Sequence, residues 1–89
     1  MANRRLIKFY KGVLLVQLQT KINEDGGGVD IEEVDTLLKS RVEIDMSCVQ
    51  MSNLELHAVI LTGYKLADEI GLVIDYPQDK LDKLIKLNI

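Results

Sequence analysis

Residues 3–24 carry apolar side chains around most of a helix, and no other stretch restricts the possible folds of the chain as much. At about 100° per residue, Val16, Phe9, Val13, Leu6 and Tyr10 fall on one arc, and Leu14, Ile7, Leu18, Ile22 and Leu15 continue it. Only the sector with Arg5, Lys8, Gly12, Gln19 and Asn23 is consistently polar. A surface helix needs an apolar stripe of roughly 100°. The band here is far wider and predicts a helix covered on several sides. Residues 13–18 lack the alternation of a half-buried strand, which favours helix over strand.

Charge is segregated along the chain. Residues 1–23 hold five cations, Arg4, Arg5, Lys8, Lys11 and Lys21, and no carboxylate, whereas residues 24–57 hold nine carboxylates against Lys39 and Arg41. The formal net charge of −3 conceals this division. Basic residues ahead of an apolar run imitate a secretory signal, but the run is interrupted by Gln17, and Gln19, Thr20 and Lys21 offer no cleavage site. No run approaches membrane-spanning length.

A chain of 89 residues is expected to form a single helical domain over 1–89, near the size at which one core barely suffices. With no Trp and one Phe, that core must be aliphatic. The lone Cys48 cannot form an internal disulfide, which points to a reducing, cytoplasmic setting.

Gly26, Gly27 and Gly28 end the first helix, and Asp30 caps a second whose first turns carry Glu32, Glu33 and Asp35. Ser52 and Glu55 form a capping-box signature. Val42, Ile44, Met46 and Cys48 alternate with Glu43, Asp45 and Ser47, so a break is expected near 46–52 rather than one long helix from 30 to 70. Pro77 suits the start of a last short helix. The expected fold is all-α: a small antiparallel bundle of about four helices over 3–23, 30–46, 53–70 and 77–87, the alternative being that the second and third merge into one long kinked helix.

Catalytic constellations are missing from the sequence. His57 has no second ligand or base, and Ser47 and Cys48 have no partner base, so no catalytic residue is assigned. The carboxylates beside the glycines would repel a phosphate, and no Gly-Lys-Ser/Thr follows them. Tyr10, Tyr64 and Tyr76 read as core-edge residues with hydroxyls reaching water. Asp30 with Glu33, or Glu32 with Asp35, has the spacing for a shared hard cation such as Mg²⁺.

Residues 65–88, KLADEIGLVIDYPQDKLDKLIKLN, resemble the end of the all-α MazG-like nucleotide pyrophosphohydrolases, over about a quarter of the chain. That resemblance implies a Mg²⁺-dependent nucleotide hydrolase with two Glu-x-x-Glu/Asp motifs on adjacent helices. The second motif is absent, because Glu55 is followed three residues later by Ala58. Ser52 opens a helix as the attachment serine of acyl carrier proteins does, but Met51 and Asn53 replace the Asp-Ser-Leu context.

Arg4, Arg5, Lys8 and Lys11 could neutralise phosphates, yet a pI near 5.0 lacks a basic footprint for nucleic acid. The apolar band is too wide for a helix lying on a membrane. What remains is a non-enzymatic helical interaction protein, self-associating and acting as an adaptor, inhibitor or regulatory factor, with no cofactor or metal expected. Its expected interface is Leu6, Phe9, Tyr10, Val13, Leu14, Val16 and Leu18, with Arg4, Arg5, Lys8 and Lys11 facing the carboxylates of the helix that starts at Asp30, in the same chain or a neighbour. The alternative is an all-α protein that binds a small nucleotide or, as the MazG-like resemblance implies, hydrolyses one with Mg²⁺.

Overall fold

Asn3 opens the first helix, its side chain accepting a hydrogen bond from the Arg5 amide at 2.8 Å. This satisfies one of the donors that a helix start leaves unpaired. In the computed structural model, which describes residues 2–76 together with Lys80 and Lys83, the helix runs as Arg4–Phe9, passes through a π-helical turn at Tyr10–Leu14 and continues as Leu15–Glu24. A second helix spans Ile31–Arg41 and a third Asn53–Glu69. The described residues are thus all-helical, with three helices and no strand. The helix expected over 77–87 lies outside the described residues, apart from Lys80 and Lys83.

The π turn accommodates one extra residue and rotates everything after it by about 100° relative to an unbroken α-helix. Up to its first residue, Leu6, Phe9 and Tyr10 are buried; beyond Gly12, Leu14, Leu15 and Leu18 are buried, while Val13 is half-buried and Val16 is 38% exposed. The wide apolar band therefore resolves into two ordinary stripes, offset in sequence and brought onto one face by the turn. This corrects the expectation of a helix covered on several sides.

Both later helices begin with complete capping boxes. The Asp30 side chain accepts from the Glu33 amide at 2.8 Å while Glu33 accepts from the Asp30 amide, and Ser52 and Glu55 do the same at 3.1 and 2.9 Å. All three helices end alike. Gly27 donates to the Ile22 carbonyl, Ile44 to that of Lys39 and Leu72 to that of Ala67, each behind a residue of positive φ: Gly26 (89°), Glu43 (56°) and Gly71 (74°).

The second helix stops at Arg41, not near 46, because Val42, Ile44 and Met46 turn partly inward and Cys48 is buried, while Glu43, Asp45 and Ser47 remain exposed. A period of two cannot continue a helix. It leaves a non-helical connection, 42–52, with turns at 42–43 and 48–50, which crosses back over the core.

That crossing sets the helix directions. The Asn3 amide donates to Asn53 Oδ1 at 2.8 Å, and farther along the same pair Leu14 packs over Gly63, where an added Cβ would meet Leu14 Cδ2 at 2.6 Å. The first and third helices therefore run the same way, as alternate helices of an up-down arrangement do. The core between them and the second helix is aliphatic, built on Leu6, Leu14, Leu18, Leu38, Leu56 and Ile60.

Candidate docking groove

After Gly71 the chain reverses and returns along the first helix. Gln17 pins the return, its side-chain carbonyl accepting from the Asp75 amide at 2.7 Å and its amide nitrogen donating to the Asp75 carbonyl at 3.3 Å. Tyr76 then reaches Phe9, edge to face with ring centroids 4.7 Å apart, while Phe9 stacks on Tyr64 at 6.5 Å. Three of the chain's four aromatic residues thus meet at one place, in a geometry that suits the ring quadrupoles.

Above them, between the first helix and the returning chain, lies an open groove of about 490 Å³. Phe9, Val13 and Tyr76 form its apolar floor, and Arg5, Lys8, Lys80 and Lys83 its rim. Arg5 and Lys8 stand three residues apart on one helix face, as neighbours do at that spacing. No carboxylate lines the groove among the described residues, and none of the four cations forms an ion pair with a described carboxylate.

Comparison with protein-family models, curated proteins and solved structures finds no match for this chain. Its chemistry is read from its own surface.

The seven apolar interface candidates divide. Leu6, Phe9, Tyr10, Leu14 and Leu18 belong to the core of the chain itself, which corrects their assignment to an association surface, since burial within the chain has already taken them from water. Val13 lines the groove and Val16 stays partly exposed. The four cations divide as well. Arg4 is exposed, Arg5 and Lys8 line the groove, and Lys11 faces a separate recess with Glu32, Asp35 and Lys39. None pairs with the acidic second helix of its own chain; the ion pairs among the described residues are Lys21 with Asp25, Lys39 with Asp35 and Arg41 with Glu69.

Tyr10 is not a core-edge residue with a wet hydroxyl. It is fully buried, and its hydroxyl donates to Asp35 Oδ1, whose other oxygen accepts from Lys39 at 2.6 Å. Burial, and next the bond to Asp35, raise the Tyr10 pKa well above the ordinary phenol value. The network ties the start of the π turn to the second helix by a neutral donor and a charge-assisted bond.

The proposed cation pairs have other partners. Asp30 and Glu33 complete a capping box, and Asp35 serves Tyr10 and Lys39. Among the described residues no three His, Cys, Asp or Glu side chains gather as a metal-holding group. No helix of the described residues is long and apolar enough to cross a membrane. The sequence reading named Arg5, Lys8, Phe9 and Val13 but missed Tyr76, Lys80 and Lys83 as members of the same site. The available signal was the spacing of Lys80 and Lys83, which repeats that of Arg5 and Lys8.

Proposed function

We propose that this chain is a non-enzymatic helical interaction protein, an adaptor, inhibitor or regulatory factor that self-associates and takes an acidic segment of protein against its first helix. The carrying observation is the groove: an aromatic and aliphatic floor with four cations around it and no described carboxylate to neutralise them. Apolar contact at the centre supplies affinity, and charges at the rim supply specificity and steering. A cytoplasmic setting goes with this reading, since Cys48 is a buried free thiol.

Titration calorimetry with a synthetic peptide in which two glutamates flank a leucine tests the proposal. Binding is expected, weakening as salt rises, and the glutamine analogue is expected to bind at least tenfold more weakly. Equal binding of both peptides, or of neither, would overturn the acidic-segment reading. The second reading, a nucleotide site, draws on the same cations over an aromatic floor. It would replace the first if a nucleoside triphosphate bound while the acidic peptide did not.

A further inference from the structure

Beside the groove, the returning chain holds Val73 out into solvent at 89% exposure, the most exposed large apolar side chain among the described residues. The backbone that carries it is not left loose. Leu72 closes the end of the third helix through its bond to Ala67 at 2.8 Å, Ile74 is in the core, and Gln17 clamps Asp75 from both sides. A valine presented from a segment fixed before and behind is preorganised for contact, because little freedom is lost when it docks. Exposed carboxylates accompany it: Asp68, which lines a shallow recess with Val73, and Asp75. Tyr76 lines both that recess and the cationic groove.

An apolar knob with carboxylates therefore lies next to an apolar groove with cations. Within one chain the two are neighbours and cannot fill each other. Between two chains related by a two-fold axis, each can give its knob and receive the other's, and adjacency on one surface is what a self-complementary contact of this kind requires. We infer that the occupant of the groove is a second copy of this chain, with Val73 of each protomer seated on the Val13 and Tyr76 side chains of its partner's groove and Asp68 and Asp75 facing the partner's cationic rim. The inference rests on the acidic-segment reading of the groove and names the segment.

Analytical ultracentrifugation up to about 100 µM, with native mass spectrometry, tests it on the full chain. The wild type is expected to be a dimer, and Val73→Asp and the double variant Arg5→Glu/Lys8→Glu are each expected to weaken it at least tenfold. All three substituted residues are exposed, so circular dichroism melts should remain close to wild type; Val73→Ser serves if Val73→Asp does not fold. Mixing the two variants leaves one intact knob and groove pair, and a heterodimer is expected that neither variant gives as a homodimer. A monomeric wild type, a dimer indifferent to Val73→Asp, or a mixture that stays monomeric would overturn the inference. If the dimer yields to the groove variant but not to Val73→Asp, acidic docking stands and this segment is wrong. Indifference to both variants removes the groove as the dimer contact.

Discussion

Glu43 occupies a position that its side chain disfavours. Its φ of 56° is the left-handed region, entered so that Ile44 can bond back to Lys39 and close the second helix. The first and third helices use Gly26 and Gly71 at the equivalent place. An L side chain there costs about 1 kcal/mol, so Glu43→Gly should stabilise the fold by about that amount and Gly71→Ala should destabilise it comparably. Urea denaturation checks both, with the midpoint moving and the slope unchanged. The glycine endings were legible in the sequence because glycine advertises the backbone it permits. The ending at Glu43 was not, since it depends on the whole hydrogen-bonded turn. Tyr10 teaches the same lesson: nothing local distinguishes a tyrosine at the edge of a core from one whose hydroxyl is buried against Asp35.

The first helix shows how an element can be recognised correctly while its faces are misread. Its extent, 3–23 in the sequence reading, matches Arg4 to Glu24 closely. The faces differ because the 3.6-residue period is broken where Tyr10–Leu14 fold as a π turn. Gly12 lies exposed within that turn, with nothing within 4 Å of where a Cβ would be. Deleting Gly12 should convert the turn to regular α-helix, leave Leu6 and Leu18 facing the same core, and cost roughly 1 to 3 kcal/mol. Deleting Gln19, in regular helix, instead rotates Leu18 and Ile22 relative to one another and should add a comparable loss through the severed Gln19–Val29 contact. Thermal melts of the two deletions give the comparison; equal tolerance at both sites would remove the special role of the π turn. The capping boxes at Asp30 and Ser52 were readable because each is completed within four residues.

At the scale of the molecule, burial separates two substitutions that the sequence treats alike. Leu14 is fully buried against Gly63, whereas Val13 is half-buried on the groove floor. Leu14→Asp places an unpaired charge in the core and should cost more than about 4 kcal/mol, enough to unfold a domain of ordinary stability. Val13→Asp should keep its helical circular dichroism and lose association instead. Unfolding by both, or by neither, contradicts this division. The sequence by itself determined the all-helical class, the extents of the first and third helices, both capping boxes and the segregation of charge, because periodicity, caps and glycines act over four or five residues. Only the tertiary structure decided that five of the seven apolar interface candidates lie inside, and that Tyr76, Lys80 and Lys83 join Arg5, Lys8 and Phe9 around one groove. Those outcomes depend on where the chain returns after a connection and a reversal, and residues some seventy positions apart meet only when the intervening packing brings them there.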